Sequence, residues 1–466
     1  MHPRSGVYLG GSGNIPAVTA SQTLAGFCTE LQFKALPGDA VHAAKRHVLD
    51  SVGVALAAAD AGVASPVVES VLAWAGAREA SVIGFDFGAP APHAALANGT
   101  LAHALDYDDT HPESIVHPSA FVVPTALAVA EESEASGAQF LTACVAGYEV
   151  STRIGAAAPG RFHARGLHTT GVCGTFGSAA VAGVLWGLTE VQLTNALGIA
   201  GSQSSGLFAY LADGSETKRF HAGWAAQGGI VAADLARRGF TGPATIFEGP
   251  HGLFDAMLTG DEHDPSRIVR GLGEEWETTR IALKAYPACH FTHVFMDMAT
   301  GLGVRAGDIE EIICAIAGPA VGIVCEPRAE RLHPETTYAA QFSLPFAVAS
   351  AVVGGRTGLD LFGEDARADK RVLAISERVR HVVDDSLPTF AGRITIVLRD
   401  GRVREAEELV VRGHPDRPLT DDEVTEKFLA NARRRLENGA AQKVADVWKL
   451  DEIDSITELA SLVQVS

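Results

Sequence analysis

The sequence predicts a mainly α fold: a large all-helical domain drawn from two separated stretches of chain, with a smaller α+β domain between them. Three observations point there. Nearly half of the 466 residues are apolar, and Ala and Gly far outnumber the aromatics, which suits closely packed helices better than a β-sandwich. Helical periodicity runs through the chain to about residue 275. Alternation of the β type is confined to a later stretch, after which helical patterning returns. The length also exceeds what one core organises, so two domains of roughly 150–250 residues each are expected.

Residues 1–19 contain Gly and Pro, lack the basic-then-apolar order of a signal peptide, and read as a flexible tail. Residues 20–275 read as all α. The break "LPGD" ends one helix, and Val41, Lys45, Val48, Val52 and Leu56 then keep the i, i+3/i+4 rule. Further helices are "AFVVPTALAVAEES", "GAQFLTACVAGYEVSTRIG", "GTFGSAAVAGVLWGL" and "FHAGWAAQGGIVAADLARRG", whose small residues permit close backbone approach. Residues 276–412 read as α+β. "EIICAIA" is short and rich in Ile, and "YAAQFSLPFAVASAVVGG" reads as one buried helix. "GRITIVLRDGRVREAEELVV" alternates at Ile394, Ile396 and Leu398 before Asp400-Gly401, a hairpin-turn signal. Residues 413–466 are expected to be helices that pack back on the first block. There Thr420 and Glu423 form a capping-box pattern, and Leu419 with Val424 a hydrophobic staple. Val424, Phe428, Ala432 and Leu436 make an apolar stripe that Gly439 would stop.

Composition excludes several functions. A formal charge of −19 leaves nothing to neutralise phosphate, so nucleic acid is not an expected partner. No apolar run reaches the ~20 residues that span a bilayer, so no membrane segment is expected. Six dispersed cysteines without a CxxC pair read as reduced thiols of a cytoplasmic protein. An anionic ligand would need a local basic cluster working against the overall field.

The chemistry-bearing residues gather where apolar helices are interrupted. "LAHALDYDDTHPESIVHPSA" holds Asp106, Asp108, Asp109, His111 and His117. "RFHARGLHTTGVCGTFGSAA" brings His163 and His168 to a helix start, and "GSETKRFHAGWAA" does the same for Lys218, Arg219 and His221. "LKAYPACHFTH" adds Lys284, Tyr286, Cys289, His290 and His293, and "GYEVSTRIG" adds Tyr148, Glu149 and Arg153. Taken singly, His168 reads as a helix cap or core histidine, Lys218 as a solvated charge, Cys289 as a small buried hydrophobe, and Asp108 and Asp109 as turn caps. Together they offer carboxylate, imidazole, ammonium and phenol groups at helix ends, a set suited to proton transfer on an anion. HExxH, His-x-His and facial-triad patterns are missing, as are GxGxxG, P-loop and GxSxG motifs. Neither a metal nor an organic cofactor is expected.

Four of these motifs, "HALDYDDTHPESIVHPSA", "GLHTTGVCGTFGSAA", "GSETKRFHAGWAAQGG" and "KAYPACHFTH", resemble in this order the MmgE/PrpD family. That family includes 2-methylcitrate dehydratase, cis-aconitate decarboxylase and iminodisuccinate epimerase. The resemblance implies a discontinuous helical domain with a smaller α+β lid, a site between them, no metal or organic cofactor, and a homodimer. It carries over Asp106 and Thr110 from the aspartate-rich motif, His117 from the following His-Pro pair, His168 from the glycine-rich helix, and Lys218 from the Thr-Lys pair. Cys289 stands where cis-aconitate decarboxylase carries a histidine, with His290 beside it, and Phe346 stands at a tyrosine position of that enzyme. These departures make decarboxylation the weakest of the three expectations.

The expected activity is therefore epimerisation of an aminopolycarboxylate such as iminodisuccinate, by proton abstraction next to a carboxylate. Dehydration of a methylcitrate-like acid is the alternative, and a non-catalytic polycarboxylate-binding protein a further one. His117 or His168 would be the base, Lys218 the carboxylate clamp, and Tyr148 or Cys289 an opposing acid. Asp106 would orient a histidine, while Thr110, Arg219, Lys284 and His290 would contact substrate.

Overall fold

The structure, a computed structural model, describes residues 17–74, 76–355 and 357–465. Most of the expected tail lies outside the described residues. Its last residue, Thr19, caps the helix Ala20–Glu30 through a reciprocal capping box with Gln22.

Buried side chains form two principal cores. The larger runs from Ala20 to Leu283 and resumes from Leu419 to Val463, while the smaller spans Ala288 to Val411. The chain thus builds most of one core, leaves to build the other, and returns. Residues 276–283, read from the sequence with the α+β part, pack in the larger core. Ala282 pairs with Thr110 through two backbone hydrogen bonds of 2.8 and 2.9 Å, and Ile281 and Leu283 are buried there.

The larger core is layered from long helices, among them Gly38–Ala61, Ala91–His103, Ser119–Glu132, Gly137–Ala156, Thr169–Leu185 and Thr217–Arg237. The all-α expectation misses one two-residue hairpin, Ala80–Ser81 with Gly88–Ala89. Two glycines set the closest crossing. A Cβ on Gly223 would fall 2.2 Å from the Leu96 carbonyl oxygen, and one on Gly99 would fall 2.7 Å from the Gly223 Cα. Only backbone fits between these helices, so Lys218 at the start of one is held near His103 at the end of the other. The returning helix Asp421–Ala432 has the predicted capping box at Thr420 and lays Phe428 over Gly53 of Gly38–Ala61. It stops earlier than its apolar stripe suggests. Residues 433–435 form a turn in which Arg434 reaches Asp360 at 2.6 Å and Arg435 the Gly84 carbonyl at 2.9 Å. Leu436 therefore enters the core from outside the helix, and Gly439 lies within the next one, Asn438–Ala445.

The smaller core contains a four-stranded sheet in the order Val379–Val383, Ile309–Ile316, Gly392–Leu398, Val403–Glu408. The first pair is parallel and the other two are antiparallel. Ile394 and Ile396 point into the core, as their alternation predicts, and Gly401 closes the hairpin at φ +82°. The segment read as one helix is two, Thr337–Gln341 and Leu344–Val353. Pro345 has no N–H for the Gln341 carbonyl, which accepts from Cys289 N at 2.9 Å instead, and Ser343 caps the second helix by accepting from Phe346 N at 3.0 Å. No single helix among the described residues is long and apolar enough to cross a membrane.

Candidate active site

After Ala91–His103 the chain turns at Asp106, which adopts φ +51°. Left-handed backbone costs a residue with a Cβ about 1–2 kcal/mol, so the surroundings must hold it. Two lysines from distant segments do so. Lys218 Nζ lies 2.5 Å from Asp106 Oδ1. Lys284 Nζ lies 3.1 Å from Oδ2 and donates to the Asp106 carbonyl at 2.8 Å. One carboxylate faces two ammoniums, which leaves positive charge over for an incoming anion. This is the basic cluster that the acidic chain needs.

Beside it lies a group of imidazoles. His103 stacks on His168 with ring centroids 5.4 Å apart, and His117 lies 5.1 Å from His103 and 6.2 Å from His168. The His117 ring donates from Nδ1 to the Asp109 carbonyl at 2.7 Å, which fixes the tautomer and leaves Nε2 with the lone pair. Its backbone N donates to Thr170 Oγ1 at 3.1 Å. His168 occupies the N-cap of Thr169–Leu185, and its Nδ1 is 3.1 Å from His221 Nδ1.

The electrostatics leave neutral imidazoles beside a charged lysine–aspartate cluster. Burial, reinforced by nearby cations and opposed by Asp108, pushes His117 down to about 3. Burial also pushes His168 well below its usual range, with His103, Lys218 and His221 adding to the effect. Both rings are therefore neutral near pH 7, each with one nitrogen lone pair unprotonated. Burial opposes ionisation of Asp106 and Lys218, yet each holds the other charged: Asp106 lies well below the carboxylate range and Lys218 well above that of a free lysine. Burial pushes the Cys289 thiol up to about 11, so it stays protonated.

These groups share one cavity of about 140 Å³. Asp106, Thr110, His117, His168 and Lys218 line it from segments of the larger core, and Cys289 and His290 from the smaller core. Lys284 enters from the strand-like link between them. Both ring nitrogens of buried His290 lack a partner, as expected of a side chain reserved for a ligand.

Two candidates lie elsewhere. Tyr148 is buried in the larger core with its hydroxyl 2.9 Å from Ser119 Oγ and its ring against His47. Ser119 N in turn donates to Asp109 at 3.0 Å, so Tyr148 braces the turn from beneath and is not placed as an acid. Arg219 pairs with Glu216 and lies over the Tyr338 ring at 5.2 Å, away from the cavity lining. The helix that carries both cations points Lys218 into the cavity and Arg219 aside, toward the Val63 carbonyl at 3.3 Å. His111 also turns away, bonded to Ser114 and Glu277. Conversely, Phe208, Tyr210 and Phe390 form apolar walls of the cavity that no motif announced. They lie in a short turn and a loop, without periodicity to mark them.

His103, Asp108 and His117 each place one ligand atom within 4.8 Å of the others, the one such group among the described residues. In this arrangement the atoms already serve one another and the backbone. His103 Nδ1 donates to Asp108 at 2.6 Å, and His117 Nδ1 is committed to Asp109.

The molecule is thus a mainly helical, two-core protein with a buried lysine–aspartate cluster and neutral histidines lining a cavity where the cores meet. Family models place it further. The MmgE/PrpD N-terminal domain matches residues 22–266 and the MmgE/PrpD C-terminal domain residues 286–450. The chain belongs to the MmgE/PrpD family. Among curated proteins it is similar to the cis-aconitate decarboxylase-like protein oryM of Aspergillus oryzae, at 27% identity over 96% of this chain and 98% of that one. It is also similar to cis-aconitate decarboxylase of Mus musculus, at 28% over 96% and 93%, and of Homo sapiens, at 29% over 81% and 80%.

Proposed function

We propose that this chain is an acid–base enzyme acting at a carbon next to a carboxylate of a small polycarboxylate, and that its reaction is epimerisation of an aminopolycarboxylate such as iminodisuccinate. The observation that carries the reading is the meeting of neutral His117 and His168 from one core with Cys289 and His290 from the other, around the Lys218–Asp106–Lys284 cluster. The ammoniums hold a substrate carboxylate and stabilise the charge that spreads into it when the neighbouring C–H bond breaks. His117 Nε2 or His168 takes that proton, and the electron pair stays on carbon and carboxylate. Cys289 or His290 returns a proton to the other face, so the centre inverts and no atom is lost.

Decarboxylation is the second reading, and the relatives named as cis-aconitate decarboxylases favour it. There a C–C bond breaks, carbon dioxide leaves and the same acids protonate the carbon. One feature weighs against it: a thiol stands at position 289 on the cavity. Phe346 packs its ring near Phe362 in the smaller core, outside the cavity lining, so its identity does not separate the two reactions.

Product analysis separates the readings. Purified protein is given single stereoisomers of iminodisuccinate and of 2-methylcitrate, and cis-aconitate, with products followed by NMR and mass. Inversion of iminodisuccinate without mass loss is expected. Carbon dioxide from cis-aconitate would replace the epimerase by a decarboxylase, and loss of water from 2-methylcitrate by a dehydratase. Binding without turnover would remove the enzyme.

A further inference from the structure

We propose that Lys427, on the returning helix Asp421–Ala432, is a positioning residue that locks together the two segments carrying Asp106 and Lys284; this rests on reading their cavity as the catalytic site. Three successive carbonyls at the Asp106 turn are each taken by a side chain from elsewhere. Gln341 Nε2 donates to Leu105 O at 2.8 Å, Lys284 Nζ to Asp106 O at 2.8 Å, and Lys427 Nζ to Tyr107 O at 3.0 Å. Lys427 does more than Gln341, because the same ammonium also donates to the Lys284 carbonyl at 2.8 Å. Asp50 Oδ1 lies 2.6 Å from the same nitrogen as its ion-pair partner, and the Tyr107 ring centroid lies 3.8 Å from it.

The ammonium has three donors, and Asp50 stands beside it as counter-charge. Two go to backbone carbonyls of the segments that form the clamp. Lys284 closes the loop by returning its own Nζ to Asp106. The Asp106 turn and the Lys284 backbone are thereby cross-linked on the side away from the cavity, which Lys427 does not line. Burying an ammonium is costly, and an apolar side chain would fill the space at less cost. What an apolar residue cannot do is hold two carbonyls at a fixed separation. The left-handed Asp106 and the spacing of the two clamp ammoniums depend on that separation.

Lys427→Met alone would strand the Asp50 carboxylate, so the double variant Lys427→Met/Asp50→Asn carries the test in the full-length chain. Amide hydrogen exchange and kcat/KM are measured well below the variant's melting temperature. Expected are faster exchange confined to residues 104–109 and 283–286, and a fall in kcat/KM of about a hundredfold, the scale of a misplaced reacting group. Unchanged exchange in those segments overturns the proposal. So does faster exchange with kcat/KM within about twofold of the parent, which would make Lys427 merely structural. Lys427→Arg covers the case in which the double variant does not fold. It keeps the charge against Asp50 but replaces three freely turned donors by a planar fork, and a loss of about tenfold is expected. Parental kinetics in folded Lys427→Arg overturn the proposal as well. If the parent itself turns over no polycarboxylate, the reaction reading falls, and the exchange measurement still decides whether Lys427 locks the turn.

Discussion

At the residue scale, the cavity sets a paired lysine–aspartate cluster beside neutral imidazoles. Lys218→Ala removes one of two ammoniums from Asp106, and kcat/KM is expected to fall by about a hundredfold or more in steady-state assays. Tyr148→Phe is expected to leave kcat within a few-fold and to lower stability by about 1 kcal/mol, read by denaturant unfolding, because it removes one hydrogen bond to Ser119 Oγ while the Ser119 hydroxyl keeps its bond to Asp109. Acid stability follows from the histidines. Their ordinary value is 6.5, while burial holds His117 at about 3 and His163 and His221 at about 4 in the folded chain. Below pH 6.5 the unfolded chain binds protons that the folded chain refuses, so stability drops as pH falls through this window. Asp106, lowered by its lysines, adds a further loss below its ordinary 3.8. The melting temperature should decline steadily from pH 7 to pH 4.5; a flat profile would mean that these rings are solvated. Asp106, His117, His168 and Lys218 could be found in the sequence because each sits in a short motif of unlike polar residues. Tyr148 and Arg219 misled because a motif does not say which way a side chain faces on its helix.

At the scale of elements, position is set by how closely backbones approach. Gly223→Ala forces a Cβ to within 2.2 Å of the Leu96 carbonyl, so the helix bearing Lys218 must shift. A loss of about 1–3 kcal/mol is expected, together with reduced kcat/KM at temperatures where the variant is fully folded. Thr420→Ala removes one half of the capping box on Asp421–Ala432 and should cost about 1 kcal/mol in the same unfolding assay. Caps and the Asp400-Gly401 hairpin were legible because they depend on residues a few positions apart. The division of residues 337–353 into two helices turned on Pro345 and Ser343, whose local signal was outweighed by the unbroken apolar run around them. The early stop of Asp421–Ala432 was not legible, because Asp360 and Gly84 draw the arginines away from far along the chain.

At the scale of the whole molecule, the cavity exists because the chain builds one core, departs, and comes back. Cys289 and His290 reach it from the excursion, and the returning helix meets Tyr107 and Lys284 from behind. Periodicity foretold the excursion and the return, and the order of four motifs foretold which segments belong together. The aromatic walls at Phe208, Tyr210 and Phe390 were beyond reach of the sequence, since only tertiary packing brings a turn and a loop to the same opening. So was the second use of His103, which ends a helix and also pins Asp108 at 2.6 Å. The protein as a whole is strongly acidic, so the proposed capture of a polyanion would depend on the local excess of Lys218 and Lys284 over Asp106. The most direct measurement is solvent-deuterium entry at the carbon beside the carboxylate, followed by proton NMR during incubation of single iminodisuccinate stereoisomers in deuterated water. Epimerisation by proton abstraction predicts deuterium at that carbon at the rate of inversion, and its loss in the double variant His117→Ala/His168→Ala. Turnover that inverts the centre with no deuterium entering, or undiminished entry in that double variant, would contradict it.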